Sequence, residues 1–262
     1  MKLPERVFGI ETKDAYARRL KELEKTPEEV TEQKPVIITP ASITRPESYI
    51  ILPSRTHGSY GYHDTLVSME KNHHNKNWSQ AHEVLHQEGA FMLTMRQYVD
   101  FINLLKSGKV YDGRGQQLDN QRVNTVLDEI LTIRDPWRSE WLDAQFSTKK
   151  SSAIPLVGKK DWHVTYHVAE QNGNLREVQE PLEDCLRSDK IPGISLDDWL
   201  QDATPQGLPK QNVGNGSLYY WHPRDGAVAW FGADSDGAGL SCGGNPRVSI
   251  AGLGVRAARV KK

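Results

Sequence analysis

Three things are scarce in this 262-residue chain: cysteine, an excess of charge of either sign, and long apolar runs. Two cysteines, Cys185 and Cys242, cannot form the disulfide framework of a small secreted domain, and they read as unpaired, semi-buried thiols. The 33 basic residues are matched by 34 acidic ones. A nucleic-acid-binding domain would carry a basic footprint, so no nucleic-acid partner is expected. No window is apolar enough to span a bilayer, which excludes helical membrane insertion. The opening MKLPERVFGIETKDAYARRL has no apolar h-region, so no signal peptide is expected. Internal repeats and low-complexity segments are absent too.

What is present is aromatic and glycine-rich. Seven tryptophans, 21 glycines and 14 prolines point to a loop-rich fold anchored on aromatic side chains. The length suffices for one large domain or two small ones. Residues 12–25 (TKDAYARRLKELEK) place Tyr16, Leu20 and Leu23 on one stripe and predict an amphipathic helix. A charged linker follows, then two β-type runs, Val36–Ile38 and Tyr49–Leu52, each stopped by a proline. Asn77 with Gln80 predicts a capping box, Trp78, Ala81 and Leu85 form the apolar stripe, and Gly89 sits where a C′ residue belongs. Thr94 and Gln97 repeat the box, and Tyr98, Phe101, Ile102 and Leu105 follow helical spacing up to Gly108.

YDGRGQQ is a turn; its Gly113-x-Gly115 lacks the third glycine of a nucleotide fingerprint. Asn120 is expected to cap a third helix with Val123, Val126, Leu127 and Ile130 inward, and DPWRSEWLDAQF is expected to pack on it. From residue 160 the period changes to two, with Trp162, Val164, Tyr166 and Val168 alternating with His163, Thr165 and His167. Asn172-Gly173 predicts a hairpin turn, with Leu175–Val178 as the return strand. Ser195 caps a short helix, and the tail holds the short strands LYYWH, AVAWF, GLSC and LGVRAARV. Helices early and antiparallel strands late define an α+β chain.

The stretch His82-Glu83-Val84-Leu85-His86 fits H-E-x-x-H, in which two imidazoles one helical turn apart hold a metal and the Glu polarises its bound water. A third ligand is required. In the longer zinc-protease pattern it would fall at position 92, where this chain has Met92, a poor partner for two imidazoles. Glu129 and Glu140 are further candidates, with nothing to aim either at the site. His82 also borders the apolar stripe, as a semi-buried histidine with a backbone partner would, and His86 lies further toward solvent. The reading favoured here has no metal and no cofactor; a zinc hydrolase using His82, Glu83 and His86 is the alternative. No serine stands in G-x-S-x-G. Asp234-Ser235-Asp236-Gly237 matches only part of a calcium loop and reads as a turn.

Taken as one unit, residues 78–105 (WSQAHEVLHQEGAFMLTMRQYVDFINLL) resemble the two-helix segment of the formylglycine-generating-enzyme type of C-type lectin fold. There a helix beginning W-x-x-A ends at a Gly, and R-L-P-T-x-x-E-[WF] opens a second helix. Trp78, Ala81, Gly89, Thr94 and Tyr98 match; Leu93 replaces the proline and Gln97 the Glu. Leu253-Gly254-Val255-Arg256-Ala257-Ala258-Arg259 is similar to the L-G-F-R-x-x-R strand that closes that fold, with Asn245-Pro246 shortly before it. The resemblance covers about residues 45–262. It implies a lectin-type domain over 35–262 with a helical insert at about 109–150, preceded by a helix and linker over 1–34. The enzyme of this class uses a cysteine pair near its C terminus. Here only Cys242 lies in that region, so the pair does not carry over and no enzyme activity is expected; a copper-dependent oxidase is a third reading.

The tail VAWFGADSDGAGLSCGGNPRVSIAGLGVRAAR resembles, more narrowly, the variable proteins of diversity-generating retroelements. In that subgroup a C-terminal stretch, here about 219–256, is rewritten by adenine-directed mutation and displayed as a ligand-binding surface. Trp230, Gly232, Gly237, Gly239, Ser241, Gly243, Gly244, Val248, Ile250 and Gly252 interrupt an otherwise constant-looking frame. Glycine weakens a strand, so its abundance here has no evident reason in sheet packing. Mutation of AAY-type codons would supply one, although Gly243-Gly244 also suits a tight turn. The resemblance implies a binding protein whose contact set includes those positions together with Trp221 and Tyr219. Its partner would be an unidentified macromolecule, of protein or cell-surface type, and its location cytoplasmic or virion-associated and soluble.

Overall fold

The computed structural model describes residues 45–133, 137–150, 160–233, 235 and 237–262, with two short strands near the N terminus, β1 (Arg6–Val7) and β2 (Ile10–Glu11). The chain divides into two units, Met1–Pro35 and Val36–Lys262. In the first, β1 and β2 pair antiparallel. The helix expected over residues 12–25 and the run Val36–Ile38 lie outside the described residues. No helix among them is long and apolar enough to cross a membrane.

Helix α1 (Trp78–Gln87) begins where the sequence predicts. The Asn77 side chain accepts from the Gln80 amide at 2.9 Å, and the Gln80 side chain accepts from the Asn77 amide at 3.1 Å. Two otherwise orphaned donors are thereby satisfied. The helix ends in a Schellman motif: Ala90 N–H donates to the Leu85 carbonyl at 2.8 Å, and Gly89 N–H to the His86 carbonyl at 3.0 Å. Gly89 has φ 67°, a left-handed value that a side chain would oppose. Helix α2 (Met95–Ser107) repeats the box with Thr94 and Gln97, and Tyr98, Phe101, Ile102 and Leu105 are all buried. Asn77→Ala removes one capping acceptor and is expected to cost about 1 kcal/mol in urea unfolding; no measurable loss would mean that packing alone holds the start of α1.

Helix α3 (Asn120–Leu131) is capped by Asp119, whose carboxylate accepts from the Arg122 amide at 2.7 Å; Asn120, the expected cap, is its first residue. Val123, Val126 and Ile130 face inward. The last part of the expected helical insert is a strand, β8 (Arg138–Lys150). β8 is the longest strand among the described residues and lies within the main sheet.

That sheet has 11 strands. Its main path runs β11 (Lys190–Ile194), β12 (Leu218–Trp221), β14 (Ala238–Gly244), β13 (Val228–Ala233), β8, β15 (Leu253–Val260), β6 (Thr65–Asn72), β3 (Tyr49–Leu52). β9 (Lys160–Ala169) and β10 (Leu175–Pro181) form the Asn172-Gly173 hairpin on the far half of β8, and β7 (Phe91–Met92) pairs with β15. A separate ribbon joins β4 (Arg55–His57) to β5 (Tyr60–Tyr62). The α+β expectation holds, but the sheet is mixed, with β12–β14 and β15–β8 parallel. A short helix, α4 (Leu196–Gln201), starts at Ser195 as expected.

The core has two parts. The larger surrounds α2 and includes Tyr98, Phe101, Phe146, Trp199 and Phe231. The smaller lies where α1 meets β8 and β15, around Ala81, Leu85, Met92, Trp141 and Val255, with Trp78, Trp137, Trp230 and Val248 at its edge. Burying a side chain such as Leu85, fully buried here, contributes roughly 1.5–3 kcal/mol. This contact fixes α1 across the centre of the sheet.

Candidate functional site

Two side-chain constellations border the smaller core. The first lies on the C-terminal strands. In β12 the side chains alternate, so Tyr220 is buried and donates to the Leu186 carbonyl at 2.8 Å, while Tyr219 and Trp221 are half-buried on the opposite face. β14 lies beside them with Gly239 opposite Tyr219 and Ser241 opposite Trp221. β13 follows, pairing Trp230 with Ser241 and Gly232 with Gly239. Four rings form a continuous row. Tyr219 meets Trp221 edge-on at 6.0 Å, Trp221 stacks near Trp230 at 6.4 Å, and Trp230 meets Trp137 edge-on at 5.4 Å.

The glycines beneath the rings have a packing reason. A Cβ on Gly239 would stand 2.8 Å from the Trp221 ring, one on Gly244 2.5 Å from the Trp230 ring, and one on Gly252 2.7 Å from the Trp137 ring. At Gly232 it would fall 1.8 Å from Ser139 Oγ. Gly239, Gly244 and Gly252 are the floor on which the aromatic row rests, and Gly232 lies against β8, which corrects the expectation that sheet packing gives no reason for them. The expected contact set therefore divides. Gly232, Gly237, Gly239, Ser241 and Gly244 are buried, Trp221, Trp230, Gly243 and Val248 are half-buried, and Ile250 is exposed. A Cβ at Gly237 would come no closer than 3.7 Å to its nearest neighbour, and the atoms nearest one at Gly243 belong to the Arg224 side chain, from 3.1 Å. Asp234 and Asp236 lie outside the described residues. Trp137 belongs to the row although the sequence places it in a segment expected to pack on α3.

The second constellation gathers three histidines around one aspartate. His82 and His86 come from α1, Asp143 from β8 and His167 from β9. Asp143 is 1% exposed and His82 7%. Asp143 accepts from the His167 backbone amide at 2.7 Å and contacts His167 Nδ1 at 3.1 Å. His82 Nε2 stands 3.4 Å from the same carboxylate, a charge contact without hydrogen-bond geometry. Neither ring nitrogen of His82 has a hydrogen-bond partner, and neither does His86 Nε2. The rings of His82, His86 and His167 lie 5.2–6.4 Å apart, and Trp78 covers His82 edge-on at 4.3 Å.

The electrostatics follow from burial and mutual proximity. Burial would raise the Asp143 carboxyl, but His82 and His167 outweigh it and hold it well below the usual carboxylate range. Burial, then His82 and His167, lower His86 to about 4. Burial works against the charged form of His167, but Asp143 prevails and raises it.

Each sequence-stated ligand candidate now has a place. His82 and His86 do lie together, while Glu83 on the same helix is exposed. Met92 is fully buried in the smaller core. Glu129 and Glu140 both bind Arg256. The group that does join the two histidines is Asp143 with His167, and His82 has this carboxylate, rather than a backbone group, as its neighbour.

Both cysteines are free and buried. Burial pushes the Cys185 thiol up; burial, then Cys185, raises Cys242 well above the usual thiol range. Cys185 lines a cavity of about 80 Å³ with Trp162, Leu182, Arg187, His222 and Pro223, but a thiol held protonated is a poor nucleophile. The chain matches no protein-family model, no curated protein and no solved structure.

Proposed function

We propose that this protein is a binding module: a C-type-lectin-type scaffold whose C-terminal strands present an aromatic contact face to a macromolecular ligand of protein or cell-surface type. The observation that carries the reading is the row Trp137, Trp230, Trp221, Tyr219, partly open to solvent and seated on glycines. Aromatic side chains dominate interface energetics because they bury large area at little entropic cost. Val248 and the exposed Ile250 extend the face with apolar surface. The lectin-type reading is supported by two capped helices in the expected order, and by the closing strand β15 pairing antiparallel with β6 from the early part of the domain.

Binding here is non-covalent. The half-buried and exposed positions Trp221, Trp230, Gly243, Val248 and Ile250 are the ones that could vary, and the close-packed glycines Gly232, Gly239 and Gly244 are fixed. The test is a screen of the full chain on glycan and protein arrays, followed by titration of the strongest hit. Trp221→Ala and Trp230→Ala are each expected to weaken that interaction at least tenfold, about 1.4 kcal/mol, with the fold retained by circular dichroism. Unchanged affinity in both variants would reject this face. The diversified-tail part of the reading is tested by neighbouring DNA: a near-copy of the tail's coding sequence, differing at adenines and beside a reverse transcriptase, supports it, and its absence removes it.

A further inference from the structure

We propose that His82, Asp143 and His167, with His86 as fourth donor, form a binding site for one divalent transition-metal ion of the zinc class, which ties α1 to β8 and β9. One donor atom from each of His82, Asp143 and His167 lies within 4.8 Å of the other two. Tetrahedral ligands at zinc–ligand lengths of about 2.0–2.2 Å stand roughly 3.3 Å apart. Asp143 Oδ1 lies 3.2 Å from His167 Nδ1 and 3.4 Å from His82 Nε2, close to that spacing. The His82–His167 distance has to close, and His86, whose ring lies 5.7 Å from that of His82 and 6.4 Å from that of His167, has to move in as the fourth ligand.

The unpaired nitrogens point the same way. A neutral imidazole always carries one N–H, and a buried donor without an acceptor is rare in a folded protein. His82 is more than nine-tenths buried, yet neither nitrogen is bonded. The contrast lies in the same molecule. Asp100 is just as buried, and it is met by His57 Nε2 at 2.8 Å, Tyr62 Oη at 2.7 Å and Arg96 at 2.7 Å. That cluster is closed by hydrogen bonds; in the histidine cluster, His167 is bonded to Asp143 while His82 is left without a hydrogen bond. Imidazoles with one carboxylate suit zinc and its neighbours, while magnesium and calcium prefer all-oxygen sites. With Glu83 outside the cluster and four donors available, the site is structural rather than hydrolytic.

The experiment uses the full chain, stripped with a chelator and titrated with Zn²⁺, Co²⁺ and Mg²⁺. One equivalent of Zn²⁺ is expected to bind with a Kd of about 1 μM or tighter, raising the melting temperature, with Mg²⁺ ineffective at the same concentration. Co²⁺ is expected to give the visible absorption of a low-coordinate nitrogen-and-oxygen site. His167→Gln is expected to weaken Zn²⁺ at least a hundredfold and to abolish the Co²⁺ band. The double variant Cys185→Ala, Cys242→Ala is expected to leave both unchanged. Should a variant fail to fold, the wild-type titration decides alone. Absence of Zn²⁺ binding by the folded wild-type chain overturns the proposal. So does binding that survives in His167→Gln but is lost in the loop variant His73→Ala, His74→Ala.

Discussion

Arg256→Ala is expected to destabilise the domain by about 3–5 kcal/mol, the usual cost of leaving one partner of a buried ion pair alone. Arg256 is 1% exposed, and every direction of its guanidinium is occupied. Nε donates to Glu140 Oε2 at 3.1 Å, Nη2 to Glu129 Oε2 at 3.3 Å, and Nη1 to the carbonyls of Ser68, at 3.0 Å, and Met69. Its Cζ lies over the Phe101 ring, 5.7 Å from the centroid. Glu140 is itself 2% exposed and takes a further hydrogen bond from Tyr98 Oη at 2.8 Å. Alanine would strand that carboxylate in a low-dielectric core and deprive two β6 carbonyls of the Arg256 donor. A typical domain has only about 5–15 kcal/mol to lose. Urea unfolding measures the effect. Arg256→Lys should recover little of it, because an ammonium cannot reproduce the fork. Arg256→Met combined with Glu140→Gln should cost less than the two single changes added together, since neither then leaves a lone buried charge. A loss below about 1 kcal/mol for Arg256→Ala would mean that the network contributes nothing net to the fold.

How far this architecture was legible depends on how local its causes are. The two capping boxes, the Gly89 stop and the Asn172-Gly173 hairpin involve residues three to five apart, so the sequence displays them directly. β8 was not legible, because a strand buried on both faces carries no alternation. Residues 139–144 (SEWLDA) are all buried, the polar Ser139, Glu140 and Asp143 included. The longer stretch DPWRSEWLDAQF, with Trp137 and Trp141, therefore reads as a packing piece for α3. The histidine cluster failed for a related reason. A third donor was sought further along the helical segments, at Met92, Glu129 and Glu140, whereas Asp143 and His167 arrive from two strands that meet α1 only in the folded chain. Nothing in the alternation of β9 distinguishes His167 from His163. The glycines of the tail looked unexplained because the rings above them belong to other segments: Trp221 over Gly239, Trp137 over Gly252.

Those glycines yield the second large effect. Gly232→Val is expected to cost about 3 kcal/mol, near the top of the usual range for overpacking, and to lower the melting temperature by roughly 6–12 °C. The added Cβ would lie 1.8 Å from Ser139 Oγ and 2.7 Å from the Arg138 carbonyl. Ser139 Oγ could rotate away, but the carbonyl is backbone of β8, which is paired with β13 on one side and with β15 on the other. Relief therefore requires moving a central strand. The atoms nearest the added Cβ of Gly243→Val belong to the Arg224 side chain, which is 54% exposed and free to swing aside from its ion pair with Asp189. That variant is expected to stay within about 0.5 kcal/mol of wild type. Thermal unfolding of the two proteins, side by side, separates two accounts of the tail. A surface tolerant of any residue at all ten positions would accept both substitutions equally. A recognition face with a fixed floor and a variable rim accepts Gly243→Val and rejects Gly232→Val, because only at the rim does a new side chain find solvent rather than the backbone of the neighbouring strand.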